Sequence, residues 1–231
     1  MILTEHFVFL HLHKSGGSFV NEFLMGCVPG ARQVGYHLPR SMIPAAYQQH
    51  PIVGFTRSPW SYYVSWYAFQ QRRPQPNALY RIVSENGTLD FASTVRNLLD
   101  LSDNGQMLDA LCAALPESYT QSGLNLPGPA LAAIRGTGLG FFSFLYRHIY
   151  GGPEGRRYIG RMELLRDTLL LTMQAVGQPI TPAMREFALR APARNVSEHG
   201  QYQDVYDAEL RDHVARRDAT LIANHGYIFG D

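Results

Sequence analysis

The 231-residue chain has little of what several protein classes require. Two cysteines, Cys27 and Cys112, are too few for a disulfide framework, and no Cys-x-x-Cys or Cys/His cluster indicates zinc. The net charge is +1, so there is no broad basic field and we expect no nucleic-acid partner. No stretch reaches the roughly 18 apolar residues that cross a bilayer, and the first residues lack a signal-peptide pattern. These absences predict a soluble, cytoplasmic protein without a transmembrane segment.

Lysine is scarcer than any other charged residue. Of the 20 basic residues, 19 are arginines and only Lys14 is a lysine. One interpretation is drift in an arginine-favouring genome that left a single lysine behind. The other is that position 14 needs a compact point charge on a flexible stem, as phosphate-binding loops do. The position of Lys14 in the chain decides between the two interpretations.

Strand and helix patterns alternate along the chain. Residues 7–12 (FVFLHL) and 52–56 (IVGFT) are typical of buried strands, and 156–162 (RRYIGRM) of an edge strand. Ser18 and Ser58 are the expected N-caps of the helices that follow the first two strands. The alternation predicts an α/β fold with a central parallel sheet covered on both sides. The loop-rich residues 70–140 read as a partly helical insertion, so we expect one domain spanning 1–231.

The segment HKSGGS (13–18) connects the first buried strand to a helix. Glycines allow the backbone to approach an anion, and the amides of the loop and the first helical turn point at it. Lys14 adds a charge and the serines add hydroxyls, so the expected ligands of a phosphate group are Lys14, Ser15, Gly16, Gly17 and Ser18. The loop lacks the leading glycine of a Walker A sequence. An ordinary glycine-rich turn is the alternative interpretation.

A second candidate pair is Arg57 and Ser65, which follow the second buried strand. Arg57 stands at the carboxyl end of that strand, where open α/β sheets place ligands. Ser65 comes about two turns into the next helix. A guanidinium and a hydroxyl from neighbouring elements can bind a second phosphate. The alternatives are a surface arginine and a small residue at a helix contact.

Together these two motifs resemble the sulfotransferase superfamily. FLHLHKSGGSF is similar to its 5′-phosphosulfate loop, and GFTRSPWSYYVSWYAF to its 3′-phosphate motif with the Arg-x₇-Ser spacing. The closer similarity is to enzymes related to heparan sulfate 2-O-sulfotransferase, over residues 6–68 and 157–229. The resemblance implies a P-loop-like fold and the donor 3′-phosphoadenosine 5′-phosphosulfate (PAPS), with no metal required. It implies that Lys14 contacts the leaving bridge oxygen, and that 70–140 selects a glycan, glycolipid or small-molecule hydroxyl acceptor.

His37 is the candidate base for the acceptor hydroxyl. A histidine ionises near neutrality, and its place between the two motifs matches a loop histidine of the 2-O-sulfotransferase relatives. We therefore expect its pKa near 6 to 7. A polar loop histidine without catalytic function is the alternative, and Glu5 and Glu22 are the other candidate bases. His11 and His13 lie on one side of a strand, but no third metal ligand is evident.

Other features and functions stay open at this point. Arg194, Asn195 and Ser197 fall where relatives have a loop that closes over the nucleotide. The aromatic-rich segment 139–151 could be core, an acceptor wall or a partner surface. A nucleotide or small-molecule kinase, or a non-catalytic nucleotide-binding module, are the competing functions.

Overall fold

The computed structural model describes residues 1–120, 123–152, 155–192 and 200–230. They form two compact units. The first unit is Met1–Arg57 with the described residues of His148–Val196, and the second is Ser58–Arg147 with the described residues of Ser197–Asp231. The described α-helices are α1 (Gly17–Cys27), α2 (Pro59–Gln71), α3 (Ala78–Val83), α4 (Phe91–Leu99), α5 (Gly105–Ala114), α6 (Gly128–Leu131), α7 (Phe141–Tyr150), α8 (Leu165–Ala175), α9 (Pro182–Arg190), α10 (Ala208–Arg217) and α11 (Ala219–His225).

The first unit contains an open five-stranded sheet. Its strands are β1 (Ile2–Leu3), β2 (Val8–Phe9), β3 (Arg32–Gln33), β4 (Ile52–Thr56) and β5 (Arg157–Arg161), in the order β3-β1-β2-β4-β5. β2, β4 and β5 are parallel, whereas β1 is antiparallel to both β2 and β3. The chain is therefore mixed α/β, as predicted, with a sheet that is parallel at its centre. β5 is the edge strand that its sequence predicts.

The core of the first unit lies between this sheet and the helices α1, α8 and α9. Phe9, Val53 and Phe55 point from the sheet into a cluster of buried apolar side chains. The helices contribute most of the other core residues, among them Val20, Phe23, Leu24, Leu165, Leu169, Met173 and Met184. This packing fixes the loop between β2 and α1, because it holds the strand and the helix on either side of the loop.

β2 is shorter than the strand predicted over residues 7–12. The β2–β4 ladder includes hydrogen bonds from Val8 N–H to the Pro51 carbonyl and from Leu10 N–H to the Val53 carbonyl, both 2.9 Å. In a parallel ladder the next bond would join Phe55 N–H to the Leu10 carbonyl. Instead Phe55 N–H donates to the Tyr150 hydroxyl at 3.1 Å. The pairing with β4 therefore ends at Leu10, and residues 11–16 form a loop.

The described part of the second unit is helical. Residues 70–140, the predicted insertion, belong to this unit together with the C-terminal helices. The spacing of Leu210, Val214 and Leu221 predicts a single amphipathic helix over residues 207–226. The structure divides this segment into α10 and α11 at Asp218. Asp218 is fully buried. Its carboxylate accepts hydrogen bonds of 2.9 Å from the Tyr63 hydroxyl and from Ser143 N–H.

The aromatic-rich segment 139–151 forms α7 and is mostly interior. Six of its large side chains are buried, namely Phe141, Phe142, Phe144, Leu145, Ile149 and Tyr150, and Tyr146 is half-buried. The structure therefore favours core packing over an exposed acceptor wall for this segment.

Candidate functional site

The loop between β2 and α1 brings the predicted phosphate ligands together. Gly16 is the N-cap of α1, with φ of 77°, a left-handed conformation that glycine adopts without a steric penalty. The predicted N-cap, Ser18, is instead the second residue of the helix and is exposed. The helix begins earlier because the turn is made at Gly16. The first amides of α1 therefore come from Gly17 and Ser18, at the end of the helix that attracts anions.

Lys14 occupies a strained position in this loop. Its φ is 57°, in the left-handed region, which costs a residue with a Cβ roughly 1–2 kcal/mol. Its carbonyl oxygen accepts a hydrogen bond of 3.0 Å from Nη1 of Arg57. Arg57 follows β4 and is largely buried. The guanidinium of Arg57 is therefore bound to the backbone of the Lys14 loop, and both residues follow the carboxyl ends of neighbouring parallel strands.

Ser15 and Gly17 contribute to the shape of the loop. Ser15 is buried, and its hydroxyl donates to the His13 carbonyl at 3.2 Å, so in this structure its proton is used within the loop. A Cβ placed on Gly17 would lie 1.8 Å from Nε2 of His11. The His11 ring therefore requires glycine at position 17.

Three imidazole rings lie together beside this loop. The His13 and His37 rings are stacked with centroids 3.6 Å apart, and the His11 and His37 centroids are 4.5 Å apart. Nδ1 of His37 is 2.9 Å from the His11 carbonyl oxygen. A carbonyl only accepts, so Nδ1 carries the proton and Nε2 of a neutral His37 is the basic nitrogen. His37, like Lys14, has a left-handed backbone, with φ of 52°.

This arrangement keeps His11 and His37 uncharged at neutral pH. Burial, together with the nearby His13, lowers the pKa of His11 to about 3. Burial and the neighbouring His11 also hold the pKa of His37 well below its ordinary value of 6.5, against the opposing effect of its hydrogen bond to the His11 carbonyl. The expected pKa near 6 to 7 is therefore too high, because an imidazolium beside other imidazoles and away from water is disfavoured. At neutral pH His37 is an unprotonated base.

The other predicted site residues are Ser65, Glu5 and Glu22, which lie outside the loop between β2 and α1. Ser65 is buried in α2, within the second unit, so its expected approach to Arg57 stays a prediction from their spacing. Ser58 and Pro59 do begin α2, as predicted. Glu5 is exposed in the turn between β1 and β2, at the opposite end of β2 from the loop, and Glu22 is exposed on α1.

Three further expectations concern the predicted nucleotide-closing loop, a metal site and a membrane span. Arg194, Asn195 and Ser197 lie outside the described residues. Within the described ranges, no group of three or more His, Cys, Asp or Glu side chains is arranged to hold a metal ion. No described helix is both long enough and apolar enough to span a membrane.

Two residues near the carboxyl ends of the strands are not among the predicted site residues. Arg161 ends β5 and pairs in register with Thr56, the residue before Arg57. The next residue, Met162, packs on the loop, since its Cγ is 3.1 Å from the position of a Cβ on Gly16. Tyr150 is the other missed residue. The predicted edge strand could have indicated Arg161, because the carboxyl ends of parallel strands share one edge.

No protein-family model matches the chain, and no curated protein matches it.

Proposed function

We propose that the protein is a sulfotransferase that moves the sulfuryl group of PAPS to the hydroxyl of a glycan, glycolipid or small-molecule acceptor. The observation that carries the proposal is the hydrogen bond between Arg57 and the Lys14 carbonyl, with His37 stacked on the same loop. These contacts support a site in which the anion-binding loop with Lys14, the second cation Arg57 and the neutral base His37 share one edge of the sheet. The accompanying fold proposal is a P-loop-like architecture of three layers.

In the proposed reaction the loop amides at the start of α1 bind the 5′-phosphate of the donor. Arg57 and Ser65 bind its 3′-phosphate through charge-assisted hydrogen bonds. The acceptor oxygen attacks sulfur in line and forms the new S–O bond, while the bond from sulfur to the bridge oxygen breaks. The bridge oxygen leaves with the electron pair on adenosine 3′,5′-bisphosphate. Lys14 stabilises the charge that develops on this oxygen.

His37 accepts the proton that the acceptor hydroxyl loses. The hydrogen bond to the His11 carbonyl fixes the proton on Nδ1, so Nε2 is the atom that receives the acceptor proton. The low pKa of His37 keeps it unprotonated at neutral pH. A low pKa also makes it a weaker base, so the proton transfer is expected to be late, as the sulfuryl group departs from the donor.

A kinase that uses the same loop for ATP is the second candidate. The sequence lacks the Walker A glycine, and its pattern indicates no carboxylate pair suited to magnesium. A non-catalytic module would bind the donor without turnover. The presence of Lys14 and of an unprotonated His37 beside the loop favours catalysis over this third candidate, because a module that only binds the donor needs no base.

The test is calorimetric titration with adenosine 3′,5′-bisphosphate, with adenosine 5′-monophosphate, and with ATP plus magnesium. Recognition of the 3′-phosphate by charge-assisted bonds worth about 1.5–3 kcal/mol predicts that the bisphosphate binds about 10- to 100-fold more tightly than the monophosphate. Arg57→Lys should reduce this preference, and Arg32→Lys, on exposed β3, should not. Equal affinities in the wild type, or a requirement for magnesium, would exclude the sulfotransferase and favour the kinase.

A further inference from the structure

The hydroxyl of Tyr150 occupies the place of a strand-to-strand hydrogen bond. It accepts from Phe55 N–H at 3.1 Å and lies 3.2 Å from the Leu10 carbonyl oxygen and 3.0 Å from the Phe55 carbonyl oxygen, to either of which it can donate. Phe55 N–H and the Leu10 carbonyl are the two groups that would bond to each other if the ladder between β2 and β4 continued. One side-chain oxygen thus separates two neighbouring parallel strands.

Close packing holds the Tyr150 ring in this position. Tyr150 is only 1% exposed. Its ring lies against Gly54, where an added Cβ would be 2.4 Å from both Cε1 and the hydroxyl oxygen. A side chain at position 54 of β4 would therefore displace the ring. Glycine is otherwise unfavourable in the interior of a central strand. The close approach of the Tyr150 ring explains why glycine stands at position 54.

The separated strand ends lead directly to the two halves of the proposed site. Leu10 precedes the loop that carries Lys14, and Phe55 is two residues before Arg57. If the ladder continued through Leu10, the residues after it would stay closer to β4. The hydroxyl therefore sets the spacing between the start of the phosphate loop and the arginine that follows β4.

We propose that Tyr150 is a positioning residue for the donor: by separating β2 from β4 it sets the distance between the 5′-phosphate loop and Arg57, so that one nucleotide reaches both. This inference rests on the proposed function. It goes beyond that function because it gives a residue outside both motifs control over recognition of the 3′-phosphate.

The test uses Tyr150→Phe, which removes only the oxygen. The measured quantity is the ratio of the dissociation constants of adenosine 5′-monophosphate and adenosine 3′,5′-bisphosphate, determined by calorimetry on folded protein. We expect this ratio to fall at least tenfold, with the monophosphate affinity kept within about threefold, because the loop survives but its distance to Arg57 changes. A merely structural role would lower stability and leave the ratio unchanged.

Two further variants complete the experiment. Tyr62→Phe is the matched control, since Tyr62 is equally buried but belongs to the second unit, and it should leave the ratio unaltered. In Gly54→Ala the new methyl group displaces the Tyr150 ring, so this variant should lower the ratio as Tyr150→Phe does. If Tyr150→Phe does not fold, Gly54→Ala takes its place in the experiment. An unchanged ratio in the Tyr150 or Gly54 variant overturns the inference alone. A wild type without preference for the bisphosphate overturns the proposed function, and the inference with it.

Discussion

Asp218 should make the protein less stable as the pH rises through the acid range. The carboxyl is fully buried, and burial raises its pKa from the ordinary 3.8 to about 6, although its hydrogen bonds from Ser143 and Tyr63 oppose the rise. Between these two pH values the folded state binds more protons than the unfolded state. Protonated Asp218 therefore contributes about 3 kcal/mol to the free energy of unfolding. This contribution is fully present below about pH 4 and is lost as the pH rises through about 6.

The variant that isolates this effect is Asp218→Asn, which has nearly the same shape and does not ionise. Its amide oxygen can still accept from Ser143 N–H, but the bond to the Tyr63 hydroxyl must rearrange, so we expect a variant that is less stable than the wild type at pH 4. Urea unfolding is measured for both proteins from pH 4 to pH 7.5. The stability advantage of the wild type should shrink by about 2.5 kcal/mol over this range, slightly less than the full value of about 3 kcal/mol because the unfolded carboxyl is already partly ionised at pH 4.

The control is Glu117→Gln, which removes an exposed carboxylate from the same unit. Its stability relative to the wild type should change little with pH, since the Glu117 side chain is exposed to solvent in the folded state. If the difference between wild type and Asp218→Asn stays constant from pH 4 to pH 7.5, Asp218 is not a raised-pKa acid. The reasoning from its burial would then be refuted.

Three further predictions concern the proposed site. Lys14→Arg should reduce turnover much more than bisphosphate binding, because a planar guanidinium does not replace a point charge at the bridge oxygen; near-normal transfer rates would contradict this role. His37→Ala should lower turnover by roughly 10²–10⁴ with donor affinity kept, and the wild-type rate should not fall between pH 8 and pH 6.5, because the pKa of His37 lies well below 6.5. Gly17→Ala should weaken bisphosphate binding by displacing the His11 ring, whereas Gly26→Ala, in the same helix with open space around it, should not; equal binding by both variants would show that the ring position is irrelevant.

The sequence was informative where a local pattern determines the structure. Apolar residues followed by a glycine pair predict a strand, a turn and a helix, and the structure has them at β2, Gly16 and α1. The run IVGFT (52–56) predicts a buried strand that ends just before Arg57, and in the structure these five residues form β4 and are all buried. Thr181 likewise caps α9 as its Thr-Pro sequence indicates, with its hydroxyl accepting from Met184 N–H.

The sequence was uninformative where the partners are distant along the chain. Tyr150 bonds to Leu10 and Phe55, 140 and 95 residues away, and nothing in its neighbourhood marks it among other aromatic residues. β1 and β3 are two residues long, too short for alternation to show. The break at Asp218 was hidden because the apolar spacing continues across it. The low pKa of His37 depends on a ring stack that only the fold assembles.

The left-handed backbones of Lys14 and His37 make the loop an unfavourable target for stability engineering. A glycine at either position would relieve strain of about 1 kcal/mol or more, so a library selected only for heat resistance would enrich such replacements. Those survivors would have lost the proposed charge or the proposed base. Selection for robustness and selection for turnover should therefore diverge at these two positions, and the divergence itself would identify them as residues retained for activity.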